Sequence, residues 1–242
     1  MAEAPTAAIL VIGDEILSGR TKDKNIGFIA DTLTDIGIDL EEVRIVGDRE
    51  TAIVEAVRAL SERYDFVFTS GGIGPTHDDI TADSVAKAFG APIGIDPRAR
   101  EMLLAFWAKR GVEPNEDRMR MARIPEGAAL IPNTVSAAPG FRIRNVFVMA
   151  GVPAILQAMM DEVVKMLPAS RPVLSETIEA RRPEGEVAEP AREVQAAHPL
   201  VRIGSYPYHD GARFTTRLVL RSRDAAALAA AKAAMEAALG KL

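Results

Sequence analysis

The run Ser70-Gly71-Gly72-Ile73-Gly74-Pro75-Thr76-His77-Asp78-Asp79-Ile80-Thr81 has the residue types of a loop that handles phosphate. Gly71, Gly72 and Gly74 can take positive φ and carry no Cβ, so a ligand can come close to their backbone. Their N–H groups, with those of a helix that starts near Asp79, form a place for an anion. Ser70 and Thr76 add hydroxyl donors, and Pro75 stiffens the turn. Asp79 has two uses open to it: capping the helix, or binding Mg²⁺ held by a di- or triphosphate. No Gly-Lys-Ser/Thr follows, so this is not a Walker loop, and the glycine spacing is not that of the dinucleotide fingerprint. Gly-Gly-x-Gly alone also serves as a plain connector; Pro75, Thr76 and the Asp78-Asp79 pair make the signal longer and more specific.

Further carboxylates are placed to join that loop. Gly13-Asp14-Glu15 follows the first strand candidate and Asp48 follows the second. Each is an ordinary turn residue by itself, but in a parallel sheet all three emerge at the edge where the glycine loop emerges, and ligands bind beyond that edge. There they could bind a metal or hold a ribose hydroxyl. His77 beside the aspartates reads as a surface or packing residue before a metal ligand. Arg118, Arg120 and Arg123 have the reach for an anion, although a solvated basic face is the plainer reading.

The elements that must position these residues are legible as pattern. Ala7–Ile12, Asp39–Val46 and Asp65–Thr69 are strand candidates; the first and third are short apolar runs of the kind buried on both faces. Between and after them, Asn25–Ile36, Thr51–Arg63 and Thr81–Phe89 carry apolar residues at helical spacing, the first stopped by Gly37. This alternation predicts an α/β fold with a mainly parallel sheet covered on both faces. Pro97–Arg110 reads as a helix, residues 111–141 as loop-rich chain with short strands, Val146–Ala150 as a strand and Ala154–Met166 as a helix. Trp107 and the methionines read as core or interface. Two prolines between Leu167 and Pro172 mark a boundary, giving domains 1–168 and 172–242. The second reads as a small β-α-β-β-α, α+β module: Val173–Glu179, a helix Glu184–His198 with a broken start, Val201–Tyr206 and Phe214–Arg221 joined through His209-Asp210-Gly211, and an Ala-rich helix capped by Asp224.

Composition excludes other classes. The 242 residues hold no cysteine, which removes disulfides, thiol catalysis and thiolate metal sites. The net charge of -5 gives no basic footprint for nucleic acid. The apolar run at the N-terminus is too short for a signal peptide or a membrane span, so a cytoplasmic protein with no membrane partner is expected.

Gly13-Asp14-Glu15-Ile16, Asp23-Lys24-Asn25 and the glycine run together resemble the molybdopterin-binding domain of the molybdenum-cofactor proteins. The likeness is greatest to the competence-damage protein A (CinA) branch. Ile124-Pro125-Glu126-Gly127-Ala128, Pro132-Asn133, Ala138-Pro139-Gly140-Phe141 and Gly151-Val152-Pro153 fit that branch in order. Arg202-Ile203-Gly204-Ser205-Tyr206-Pro207 resembles the small domain that follows there and in eukaryotic FAD synthases. The resemblance implies a three-layer α/β/α domain and a nucleotide-like or pterin-like ligand. It also implies a homo-oligomer (dimer or trimer) and a divalent metal (Mg, Mn or Co). It assigns Asp48 and Asp79 to the metal-dependent chemistry; taken with the reading of the residues above, Glu15 is expected as a further metal ligand and Ser70, Gly71, Gly72, Gly74, Thr76, Asp14, Asn25, Pro139 and Gly140 as ligand-binding residues. Met149-Ala150-Gly151 stands where the family usually has Leu-Pro-Gly, and the C-terminal nicotinamide-nucleotide amidase domain of CinA is not in this chain.

The expected function is hydrolysis of ADP-ribose or a related dinucleotide with the help of a divalent metal. Two alternatives stand beside it: nucleotidyl transfer to molybdopterin with the same loop and aspartates, and a binding module without turnover.

Overall fold

Successive residues of Ala7–Ile12 face opposite sides of a sheet, and every one of them is buried. Ala8, Leu10 and Ile12 enter one apolar core, while Ala7, Ile9 and Val11 enter another. This is why the run contains no polar residue: a strand with helices on both faces has no solvent side. The computed structural model describes residues 4–168 and 170–242. Met1–Glu3, the start of the N-terminal stretch weighed above, and Ala169, inside the expected boundary, lie outside the described residues. The chain forms two units, residues 1–170 and 171–242.

In the first unit the order is β1 (Thr6–Ile12), α1 (Asp14–Leu17), α2 (Asn25–Asp35), β2 (Asp39–Val46), α3 (Glu50–Arg63), β3 (Phe66–Ser70), α4 (Thr81–Phe89) and β4 (Ile93–Ile95). Then come α5 (Pro97–Ala108), α6 (Glu116–Met119), a 3-10 turn (Arg120–Ala122), β5 (Arg123–Pro125), β6 (Ala129–Ile131), β7 (Gly140–Ile143), β8 (Val146–Met149) and α7 (Pro153–Val164). The main sheet runs β2-β1-β3-β8-β7-β6. The pairings β1–β2, β1–β3 and β3–β8 are parallel, whereas β7 is antiparallel to both its neighbours. The sheet is therefore mixed, with the expected parallel order in its first four strands. Ile53, Val57 and Leu60 of α3, Val85 of α4, and Leu103 and Trp107 of α5 fill the first core. Ile29 and Leu33 of α2 with Leu156, Met160 and Val163 of α7 fill the second, which completes the three layers.

The parallel register aligns the strand ends. Ile12 pairs with Val46, Val11 with Ser70, and Ser70 with Met149. The chain therefore leaves the sheet at one edge four times: at Gly13, Gly47, Gly71 and Ala150.

The second unit holds β9 (Leu174–Glu179), α8 (Glu184–Ala197), β10 (Arg202–His209), β11 (Phe214–Ser222) and α9 (Ala225–Leu239). Its antiparallel sheet has the order β10-β11-β9. Ile178, Leu218 and Leu220 pack with Val187 of α8 and with Leu228 and Met235 of α9. Asp224 caps α9 as expected, its carboxylate accepting the Ala227 N–H at 2.9 Å. The expected broken start of α8 is corrected: the helix runs from Glu184 with Pro190 inside it.

Candidate functional site

The common edge brings Asp14 and Asp48 into contact. The Asp14 amide donates to Asp48 Oδ2 at 2.9 Å, tying the loop after β1 to the loop after β2. Gly47 makes this closeness possible, since a Cβ there would stand 2.2 Å from Asp14 Oδ1. The chain before α2 is held by Asp23, whose Oδ1 accepts the amides of Asn25 and Ile26 at 3.0 and 2.8 Å. That fixes Asn25, 5% exposed, with Nδ2 donating to Ser70 Oγ and to the Gly151 carbonyl.

The glycine loop is built by close contacts within the protein. Gly71 has φ +111°, and a Cβ on it would stand 2.2 Å from the Ile12 carbonyl oxygen. Gly72 has φ +70°, and its Cβ would stand 2.1 Å from Thr81 Oγ1. Thr81 closes the loop: its amide donates to the Gly72 carbonyl at 3.0 Å and its hydroxyl to the Gly71 carbonyl at 3.0 Å. These two glycines are thus required by the chain itself, whatever binds beside them.

Three expectations about this loop are corrected. The Gly71 N–H donates to the Met149 carbonyl at 3.2 Å, because Gly71 continues the ladder between β3 and β8, so it is not a donor for an anion. The Thr76 amide and hydroxyl both donate to Asp79 Oδ2, so that hydroxyl is also committed. For the same reason Asp79 does not cap α4, whose N-cap residue is Ile80 with no side-chain cap; the carboxylate folds back onto its own turn. Among the described residues, the amides of Gly72, Ile73 and Gly74 donate to no protein acceptor. They are the loop's available anion donors.

Two hollows flank the end of β3. One, a narrow hollow of about 10 Å³, is lined by Gly72, Gly74, Asp79, Arg120, Arg123 and Pro139. The other, of about 70 Å³, is lined by Glu15, Asn25, Ser70, Gly71 and Gly151. The expected site residues therefore divide between two cavities. Asp14, Asp48, Thr76 and Gly140 line neither. Gly140 has a packing role instead, its missing Cβ leaving space for the Val148 carbonyl, which would otherwise stand at 2.3 Å. Glu15 and Asp79 line different hollows, and no group of three or more histidine, aspartate or glutamate side chains stands close enough to hold an ion among the described residues. The expected gathering of Asp48, Asp79 and Glu15 around one cation is not formed by the protein alone. His77 is exposed on the loop and lines neither hollow.

Arg120 and Arg123 were expected on a solvated face, and the structure places them in the lining of the hollow that Gly72 and Gly74 also line. Arg123 is paired with Asp83, with Nε 3.4 Å from Oδ2, and that hydrogen-bonded carboxylate raises the guanidinium pKa above its ordinary value. Arg120 reaches the Asp79 carbonyl with Nη2 at 3.4 Å. Both follow α6, a single turn whose N-cap Asn115 accepts the Arg118 amide at 2.8 Å. The only sequence signal for this placement is that Asn115 cap, too short a pattern to aim an arginine.

Residues 8–173 match the family model described as a probable molybdopterin binding domain, and residues 172–242 match the middle domain of FAD synthase. A protein of Pyrobaculum calidifontis is 37% identical over 212 residues, covering 84% of this chain and 81% of its own length. A probable FAD synthase of Caenorhabditis briggsae is 30% identical over 96% of this chain, which spans only 49% of that protein. The crystal structure of the protein CinA from Thermoplasma acidophilum, described as of unknown function, superimposes with TM-score 0.62 at 34% identity, covering 67% of this chain and 98% of that one.

Proposed function

The chain belongs to the molybdopterin-binding domain family, and from that premise we propose that it hydrolyses the phosphoanhydride of ADP-ribose or a related dinucleotide. The observation that carries this reading is the set of unpaired amides at Gly72, Ile73 and Gly74, at the carboxyl edge of a parallel sheet beside Asp79. Those amides receive the oxygens of a diphosphate and neutralise charge as it builds on the leaving phosphate. Attack of water on one phosphorus breaks the P–O–P bridge and yields AMP and ribose phosphate. Thr76 orients Asp79 through Oδ2, and the Asp14 amide orients Asp48 through its Oδ2.

The donor set offers hard carboxylate oxygens but, among the described residues, no cluster of three, which fits an ion that arrives with the diphosphate and keeps its waters rather than a resident one. Asp79, which lines the hollow beside those amides, would hold it, while Asp48 lines neither hollow. When bound, such an ion supplies charge neutralisation and a bound water of lowered pKa. Release of AMP from ADP-ribose by the purified protein with Mg²⁺, Mn²⁺ or Co²⁺ tests the proposal; no release with any of them rejects it.

The family match itself supports a second reading, nucleotidyl transfer to molybdopterin at the same loop. Transfer of AMP from Mg-ATP to molybdopterin, assayed in parallel, discriminates the two.

No helix among the described residues is long and apolar enough to cross a membrane.

A further inference from the structure

The arginines around the glycine-loop hollow are not equivalent. Arg123 is neutralised by Asp83, and Arg118 donates to the Glu113 carbonyl. Arg120 forms no ion pair among the described residues, and its Nε is buried with no hydrogen-bond partner. Burying an N–H of a charged group unpaired is costly, so a native protein that keeps one reserves it for a water, an ion or a ligand. Arg120 lines the same hollow as Gly72 and Gly74, whose amides also lack an acceptor. Its contact with the Asp79 carbonyl holds the guanidinium against the stretch that leads into α4. With Asp83 balanced by Arg123, the charges facing the hollow are Arg120 and the Asp79 carboxylate. Ile73, Met121, Pro139 and Phe141 add apolar surface to the same lining. Donors from Arg120 and from the glycine loop thus meet in one lining, which suits an anion oxygen.

We propose that Arg120 binds a phosphate oxygen of the ligand through its buried Nε–H, in the hollow it shares with the Gly72 and Gly74 amides, and sets the preference for phosphoanhydrides over phosphate-free nucleosides. The inference rests on the reading that this hollow takes a diphosphate. Arg120 is the choice for the role because its planar donors suit phosphate geometry, which an ammonium reproduces only as a point charge.

The test is equilibrium binding of inorganic pyrophosphate, ADP-ribose and adenosine to the full chain and to Arg120→Gln and Arg120→Lys, with AMP release from ADP-ribose measured alongside. Arg120→Gln is expected to weaken pyrophosphate and ADP-ribose on the order of tenfold to a hundredfold and leave adenosine unchanged, with Arg120→Lys between. Equal binding of the phosphate probes by wild type and Arg120→Gln overturns the role of Arg120 and leaves the hydrolase reading standing, as does an equal loss for adenosine. Pyrophosphate binding that depends on Arg120, without AMP release, keeps the role and rejects the hydrolase reading. Binding of neither phosphate probe by the wild type rejects both. Should the variants misfold, phenylglyoxal labelling of the wild type decides: protection of the Arg120 peptide by pyrophosphate supports the role, and labelling at an unchanged rate overturns it.

Discussion

Asn25 Nδ2 stands 2.8 Å from Ser70 Oγ and 2.7 Å from the Gly151 carbonyl oxygen, so one buried amide ties the start of α2 to the ends of β3 and β8. Replacing it leaves a buried acceptor without its donor, which costs about 1–3 kcal/mol. Asn25→Leu is expected to lower the stability of the first unit by that amount. Trp107 lies in the core of that unit and is the single tryptophan, so its fluorescence during urea unfolding reports this unit alone. An unchanged midpoint would show that the amide is not an anchor.

A side chain on Gly72 meets two obstacles: φ is +70°, and Thr81 Oγ1 lies 2.1 Å from the added Cβ. Gly72→Ala is expected to destabilise the first unit by about 1–3 kcal/mol. Thr81→Ala removes the steric obstacle and, separately, the hydroxyl bond to the Gly71 carbonyl. The double variant should therefore be less destabilised than the sum of the two single ones, by about 0.5 kcal/mol or more. Strict additivity in the same fluorescence assay would mean that Thr81 Oγ1 is not the obstacle the added Cβ meets.

Much of this architecture was readable because burial imposes composition. Ala7–Ile12 and Val146–Met149 are buried on both faces and can carry only apolar residues, so strands and their alternation with helices stood out. The reversed β7 and the short β6 did not, since four and three residues between prolines and glycines hold too little periodicity to give direction. The shared edge of Asp14, Asp48 and the glycine loop followed from parallel topology alone. The fate of individual donors did not. Gly71 spends its amide on a neighbouring strand and Thr76 spends its hydroxyl on Asp79, and both choices depend on partners that spacing does not reveal. Arg120 was read as a residue with reach for an anion, but its placement was hidden for a related reason: it is set by a one-turn helix and a 3-10 turn, and no repeat in the sequence aims it at the loop.

Asp224 provides a test confined to the second unit. Its carboxylate accepts the Ala227 amide at the start of α9, and an N-cap of this kind is worth about 1 kcal/mol. Because α9 is rich in alanine, its interior needs little further help and its first turn depends on the cap. Asp224→Ala is expected to speed amide hydrogen exchange in peptides from α9 about fivefold, without change in peptides from α5. Equal exchange in α9 would show that packing against β9 and β11 holds the helix start instead.

Asp96 gives the first unit a pH-dependent contribution whose sign can be worked out. Its Oδ1 accepts the amides of Arg98 and Ala99 at the start of α5, and its carboxylate is also bonded by the Arg98 guanidinium. The hydrogen bond from Arg98 is the main cause that holds the Asp96 carboxyl below the ordinary value, with the two amides adding to it against the cost of burial. A carboxylate depressed in the folded state binds its proton more readily when unfolded, so its contribution is fully present above the unfolded pKa of about 3.9. That contribution is lost as pH falls through the lower folded value. Asp96→Ala should therefore cost about 1 kcal/mol at pH 7, and the gap between wild type and variant should close below about pH 4. Trp107 packs on the same helix, so its fluorescence during urea unfolding at a series of pH values measures the gap directly. A gap that stays constant from pH 7 to about pH 3 would show that the cap acts through its shape and not its charge.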